Sequence, residues 1–398
     1  MINHNPLTPR DWQREAYDAW FAKGCKGTIK AGTGTGKTYV GEMGINHEKG
    51  KVLIVVPYEH LQSQWASWLQ EHLLIYDIGF VGGSKGNQWD KRITIAIVNS
   101  VRYEKLVEKE YDLLIMDEIH HYGADINFTF LESGQFKKIL GLSATPERQD
   151  LKHEKLLVYS PICYTLSHKE AIETGLMSKF EIVNVSVELT EDEKLRYKVA
   201  ESYKEEHFMN FDSDFQRVQS AVRMGGAEGM EAAEIMRSFT AIRKILLHCE
   251  SKIKAAVDII IEELGKKVII FGEYVDMAEK ISERLTQLEI PHGKYHSSIK
   301  AAKKRTVLED FKNDKFKIMV SVKCLDEGID VPDADVAIVV GGSSVRRQMI
   351  QRLGRILRNR PGKQARLYQL YVKQTEDYRW LKRRSAMFGG IAERVMWR

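Results

Sequence analysis

The stretch Ala31-Gly32-Thr33-Gly34-Thr35-Gly36-Lys37-Thr38 decides how this chain is read. It follows a run with strand character, Lys26 to Lys30, and precedes a segment able to form a helix, Thr38 to His47. Alternating glycines let backbone N–H groups close around phosphate oxygens, because no Cβ blocks the approach. The start of a helix adds unpaired N–H groups and partial positive charge. In such a loop Gly32, Thr33, Gly34, Thr35 and Gly36 form the cradle. Lys37 reaches the β- and γ-phosphates, and the Thr38 hydroxyl binds Mg2+. The first position is Ala31, where the simplest pattern has Gly. The stretch alone points to a nucleoside triphosphate, against the plainer reading of a Gly-rich turn.

Composition bounds what the rest can be. A chain of 398 residues accommodates two or three domains of about 150 residues each. Apolar content of 43% and charged content of 29% are those of an ordinary globular protein. No apolar run approaches the length of a membrane span, and Met1-Ile2-Asn3-His4 has no basic-then-apolar signal pattern. Cys25, Cys163, Cys249 and Cys324 are scattered and form no CxxC pair, which speaks against a zinc ribbon or a disulfide framework. A reducing, intracellular setting is expected, cytoplasmic if the source is prokaryotic or a phage. The net charge of +5 is unevenly placed: from Gly341 to Arg398 fifteen Lys and Arg face only Glu376, Asp377 and Glu393. That asymmetry suggests an acidic partner, nucleic acid before others, with a solvated basic face as the bland alternative.

Around the loop, continuous apolar runs alternate with helical segments. Val52–Pro57, Ile93–Val98, Tyr111–Met116 and Lys138–Leu142 read as strands, and Glu59–Gln70, carrying Trp65 and Trp68, as a helix. Such strands between helices indicate a parallel sheet covered on both faces, with ligands at the carboxyl ends of the strands. There, directly after Met116, stands Asp117-Glu118-Ile119-His120. Asp117 can hold Mg2+ through water, and Glu118 can polarise the attacking water. His120 and His121 are set aside as metal ligands, since Mg2+ prefers oxygen. Ser143-Ala144-Thr145 closes the next strand and can hydrogen-bond the acidic motif. Ahead of the loop, the Gln13 carboxamide matches the donor and acceptor edge of adenine, and Arg10 is grouped with it on the nucleotide.

Residues 188–262 read as a helical insert, opened by the capping box Thr190-Glu191-Asp192-Glu193. Helices are expected over Glu191–Asn210, Gln216–Met224, Met230–Cys249 and Lys252–Glu263, interrupted at Gly225-Gly226 and Gly229. A second α/β lobe follows over 263–398, with strands at Lys267–Phe271, Lys317–Ser321, Asp335–Val340 and Arg366–Tyr371. In it, Gly328 of Cys324–Pro332 allows a tight turn near phosphate, and Asp330 can bond ribose hydroxyls. Gln351-Arg352-Leu353-Gly354-Arg355-Ile356-Leu357-Arg358 puts Gln351, Arg355 and Arg358 on one side of a helix. Guanidinium groups there can neutralise charge on a transferring phosphoryl group, worth about 10³–10⁵ in rate. Arg352 is assigned to an acidic neighbour.

Taken in order, these motifs resemble helicase superfamily two. Gln13 looks like its adenine-reading glutamine, Ala31–Thr38 like motif one, Val55-Val56-Pro57-Tyr58 like motif Ia, and Asp117–His120 like the DExH box. Ile97-Val98-Asn99-Ser100 looks like the later DNA-strand motif of the same lobe, Ser143–Thr145 like motif three, Cys324–Pro332 like motif five and Gln351–Arg358 like motif six. Gly141–Arg148 and Asp117–His121 most resemble the xeroderma pigmentosum B type of DNA helicase. That type carries Arg-Glu-Asp after motif three, where this chain has Arg148-Gln149-Asp150. The resemblance implies two RecA-like parallel-sheet lobes, residues 1–187 and 263–398, with a thumb-like helical insert between or on them. It implies ATP and Mg2+ as cofactors and a duplex, forked or branched DNA partner, with Gln62 and Gln64 as backbone contacts. The activity expected is that of an ATP-dependent DNA helicase or duplex translocase, with ATP held across both lobes. A phage-type branch-migration helicase, an RNA helicase and a nucleotide-gated clamp without turnover are the competing readings; intact Lys37, Glu118 and Arg358 argue against the last. A nuclease or a repair or recombination partner is compatible with this, and a membrane is not expected.

Overall fold

The computed structural model describes residues 8–32, 34–101, 110–123, 125–147, 150–176, 180–322, 334–341, 365–385 and 392–398. The chain divides into two compact units, each built on a seven-stranded, all-parallel sheet.

The first unit carries β1 (Lys26–Ala31), β2 (Val52–Val56), β3 (Ile78–Val81), β4 (Ile93–Ile97), β5 (Leu113–Asp117), β6 (Lys138–Ser143) and β7 (Ile162–Leu166). Their order is β3-β4-β2-β5-β6-β1-β7. Val, Ile and Leu fill β2, β4 alternates Ile with Thr94 and Ala96, and both strands are buried throughout, as a sheet covered on both faces requires. The register matters for function. Lys30 of β1 lies opposite Ser143 of β6, and Asp117 of β5 lies opposite Leu142 of β6. Three adjacent strands therefore end on one line, so the loop after Ala31, the acidic pair and the Ser143–Thr145 turn emerge side by side. The helices Lys37–His47 and Glu59–Leu73 meet where glycine permits it: a Cβ on Gly41 would lie 2.6 Å from Trp65 Cη2.

The second unit carries β8 (Phe180–Val187), β9 (Val268–Gly272), β10 (His292–Tyr295), β11 (Ile318–Val322), β12 (Val336–Val339), β13 (Ala365–Val372) and β14 (Arg394–Trp397), in the order β10-β11-β9-β12-β13-β8-β14. The boundary expected at 187 therefore moves back. Phe180–Val187 pairs with β13 over its full length, and its partners lie so far downstream that no local pattern assigns it to a lobe. The far end of the expected insert moves as well. Helix Glu250–Glu262 buries Ile253, Ala256, Val257, Ile259 and Ile260 in the core of the second sheet. What projects is the three-helix set Glu191–Phe208, Phe215–Met224 and Gly226–His248. The capping box forms as read: the Thr190 N–H donates to Glu193 Oε2 at 2.9 Å, and the Glu193 N–H donates to Thr190 Oγ1 at 3.4 Å. Gly225 and Gly226, at φ 76° and 75°, break the chain between helices. Gly229 does not; it sits inside a helix, where a Cβ would lie 2.9 Å from the Ala221 carbonyl. The insert has its own core of Phe211, Val218, Ala221, Ala232 and Ile235.

Helix Glu376–Ser385 is fastened to the second unit by a fully buried ion pair. Lys252 Nζ lies 2.5 Å from Asp377 Oδ2, which also accepts from the Val372 N–H at 3.0 Å. Removing one partner strands the other charge without water. Lys252→Met is expected to cost about 3–5 kcal/mol in urea unfolding, whereas Met at the exposed Lys254 of the same helix should cost under about 0.5 kcal/mol.

Candidate functional site

The phosphate-type loop is held open from inside. Gly34 and Gly36 take φ of 82° and 99°, the left-handed region that side chains disfavour. Gly36 caps the helix Lys37–His47, so the first amides of that helix face the loop. Lys37 is 9% exposed, and its ammonium donates to the Ala31 and Gly32 carbonyls at 2.9 and 3.3 Å. The Thr35 hydroxyl donates to the Gly32 carbonyl at 2.7 Å. Arg10 Nη1 donates to the Thr35 carbonyl at 3.1 Å.

Gln13 is 5% exposed and both ends of its carboxamide engage the backbone. Nε2 donates to the Gly36 carbonyl at 2.9 Å, and Oε1 accepts from the Arg10 N–H at 2.8 Å. A Cβ on Gly36 would lie 2.8 Å from Gln13 Nε2. In this arrangement Gln13 braces the loop; reading adenine would exchange both bonds for two to the base.

The acidic pair stands at the end of β5. Asp117 Oδ2 accepts from the Trp65 indole N–H at 2.9 Å, and Oδ1 from the Glu118 N–H at 3.0 Å. Burial pushes the Asp117 carboxyl above the usual carboxylate range, opposed by the indole bond, the Lys37 charge and the Glu118 amide. Glu118 has φ 51°, a strain of about 1–2 kcal/mol for an L-residue. Its Oε2 accepts from the Ser143 hydroxyl at 3.3 Å and lies 3.4 Å from His120 Nδ1. His120 Nδ1 is 3.1 Å from Ser143 Oγ, which also accepts from the Thr145 N–H at 3.1 Å. The Tyr122 hydroxyl donates to the Asp117 and Val55 carbonyls at 2.7 and 2.8 Å, closing the turn. His120 thus links the acidic pair to the next strand. Thr38 and Asp117 offer a hydroxyl and a carboxylate beside a buried ammonium. Those hard oxygen donors suit Mg2+, which takes few protein ligands and completes its shell with phosphate and water. Among the described residues no cluster of three or more His, Cys, Asp or Glu could hold a metal by itself.

The structure brings together Arg10, Gln13, Gly32, Gly34, Thr35, Gly36 and Lys37 at the loop, and Asp117, Glu118 and Ser143 beside it. Thr33, Gly328, Asp330, Gln351, Arg355 and Arg358 lie outside the described residues, as do Arg148 and Gln149. Gln62, expected on a nucleic-acid backbone, is fully buried and donates to the Ile95 and Val81 carbonyls at 2.9 and 3.3 Å. Gln64 is exposed on the same helix.

Comparison with known proteins places this geometry. A family model described as type III restriction enzyme, res subunit, matches residues 6–148, and one for the helicase conserved C-terminal domain matches residues 251–360. A protein named DNA 3'-5' translocase XPB2, from Sulfurisphaera tokodaii, is 34% identical over 380 residues, covering 94% of this chain and 84% of its own length.

The chain belongs to the XPB family of DNA helicases and translocases.

A further relative, the DNA 3'-5' helicase XPB of Mycobacterium tuberculosis, is 26% identical, with 88% of this chain matching 58% of that protein. Against the putative DNA 3'-5' helicase Rad25 of Halobacterium salinarum this chain spans about half of the relative's length, 55%. The helicase domain of Pyrococcus furiosus Hef shares the fold, with a TM-score of 0.65 at 18% identity over 94% of this chain and 98% of that one. Both units of this XPB-family chain are accordingly RecA-like helicase lobes.

One residue of the site was not singled out from sequence. By sequence Trp65 is one residue of a helix, yet its N–H meets Asp117. A tryptophan in an amphipathic helix is ordinarily core, and only the partner carboxylate, 52 residues away, reveals the bond. The bracing geometry gives a direct test of Gln13. Gln13→Ala is expected to weaken ADP and GDP binding alike, by about tenfold, in calorimetric titration. A loss confined to ADP would return Gln13 to base reading.

Proposed function

We propose that this XPB-family chain hydrolyses ATP at the loop Ala31–Thr38 and uses the cycle to step along duplex DNA. The 3'-to-5' direction is taken from the relatives' names. The observation that carries this reading is the register of β1, β6 and β5. It brings a buried lysine, a donor-held carboxylate and a second carboxylate tied to Ser143 to one sheet edge. Each has a distinct task. Lys37 exchanges its two carbonyl contacts for β- and γ-phosphate oxygens. Arg10 and Gln13 keep the loop shaped for that exchange. Thr38, and Asp117 through water, would hold Mg2+, which would supply charge neutralisation at the phosphates. Glu118 accepts the hydrogen bond of the attacking water and aims it in line. Ser143 and His120, in contact with the Glu118 carboxylate, register whether that carboxylate is engaged. Arg355 and Arg358, with Gln351, are the groups proposed to meet charge on the γ-phosphoryl, and Gly328 and Asp330 the ribose and phosphate contacts of the second lobe.

The helical insert is a weak candidate for gripping DNA. From Glu188 to His248 it carries twelve Asp and Glu against nine Lys and Arg, so it offers no net attraction to phosphates. The basic stretch beyond Gly341 is the better candidate for backbone contact. A reading as an RNA helicase rests on nothing specific in the described residues; XPB relatives favour DNA.

Hydrolysis should rise more with duplex DNA than with single-stranded DNA or RNA, measured as phosphate release at fixed salt. Stimulation should fall steeply as salt rises, because backbone contacts release counterions. Lys37→Ala and Glu118→Gln should each lower stimulated turnover by at least about 10², the first with weakened nucleotide binding and the second without. Wild-type turnover in either variant would refute the assignment.

A further inference from the structure

Two tryptophans three residues apart on the helix Glu59–Leu73 each donate an indole N–H to a carboxylate. Trp68 Nε1 donates to Glu42 Oε2 at 2.8 Å, on the helix that follows the phosphate-type loop. Trp65 Nε1 donates to Asp117 Oδ2 at 2.9 Å. Trp65 is 2% exposed, and its ring edge lies where Gly41 has no side chain, 2.6 Å from the position a Cβ would take. The indole is wedged, so its N–H has one direction available. With Oδ1 already accepting from the Glu118 N–H, the two donors fix both the tilt and the twist of the carboxyl plane.

We propose that Trp65 is a positioning residue for the metal-facing carboxylate of Asp117: its N–H holds that carboxylate in one orientation, so that Mg2+ joins bound nucleotide without first reordering it. The proposal rests on the reading of Asp117 as a metal-side group. The physical case has two parts. A carboxylate free to rotate loses ordering entropy each time the cation arrives. Outer-shell hydrogen bonds to metal-site groups commonly carry 10–100-fold, as order of magnitude, in metal affinity. The same bond ties the helix Glu59–Leu73, which exposes Gln64, to the acidic pair, so that helix is part of the support of the metal site as well as of the sheet.

The test uses the whole chain and binding alone. ADP affinity is measured by calorimetry in Mg2+ and in excess chelator, and the ratio of the two is the gain due to Mg2+. Trp65→Phe keeps an aromatic ring beside Gly41 and removes the N–H; its Mg2+ gain should fall about tenfold while affinity in chelator stays near wild type. Trp68→Phe, an equal lesion on the same helix, should keep the full gain. An unchanged gain in Trp65→Phe overturns the proposal, and so does an equal loss in both variants, which would mark general loosening of the helix. If the wild type itself shows no Mg2+ gain, the reading of Asp117 fails with it. Should Trp65→Phe not fold, the seven indole N–H signals of the ¹⁵N-tryptophan-labelled wild type are followed as Mg2+ is added to the ADP complex. One signal must move in step with Mg2+ binding; seven unmoved signals overturn the proposal.

Discussion

A carboxylate taken out of water at the end of a strand is costly unless donors meet it. Asp117 is met by an indole, by the next backbone amide and by the field of Lys37. Each donor comes from a different part of the first unit, so the placement of this one group depends on most of that unit being correctly assembled. The register of β5 on β6 and of β6 on β1 sets the height of Asp117 against the loop. The absence of a side chain at Gly41 sets the approach of Trp65. The strained turn at Glu118 is kept by the Tyr122 hydroxyl and by the bond from the His121 N–H to the Glu118 carbonyl, 3.0 Å long. Strain of this kind persists only where neighbours over-determine it.

The second unit repeats the architecture with a different emphasis. Its sheet has the same number of strands, all parallel. Two of its fully buried charges, Lys252 and Asp377, bond each other and the backbone. A buried pair of this kind contributes little net stability against an apolar replacement, but it penalises any docking of helix Glu376–Ser385 that leaves a charge alone. The three projecting helices stand on a base of Val187, Leu189, Tyr197, Ile242, Leu246 and Cys249 and close a separate small core further out.

Much of this was legible in the sequence because it rests on local rules. Strands with long Val, Ile and Leu runs, such as Val52–Val56, declare themselves, as do the loop at Ala31–Thr38 and the capping box at Thr190. What was not legible depends on partners far away in the chain. The short edge strands Ile78–Val81, Ile162–Leu166, His292–Tyr295 and Arg394–Trp397 have little apolar run of their own, and sheet neighbours define them. Phe180–Val187 is a plain strand by pattern, but nothing within it says which sheet it joins. Gln62 and Gln13 show the same limit at the site. Polar side chains near a nucleotide motif suggest ligand contact, and here buried carbonyls take their amides instead.

The placement of Phe180–Val187 bears on how the polypeptide is made. The first unit can close its sheet as soon as Ile162–Leu166 has left the ribosome, since every partner it needs has already been synthesised. The second unit opens with a strand flanked by the last two to emerge: Glu181 finds Arg366 185 residues later, and the Ser186 hydroxyl meets the Arg398 carbonyl across 212. During that interval a strand whose residues end up mostly buried has no sheet of its own. Segments left waiting in this way are the ones chaperones cover, so the two halves of this motor differ in how they come into being even though they share a design.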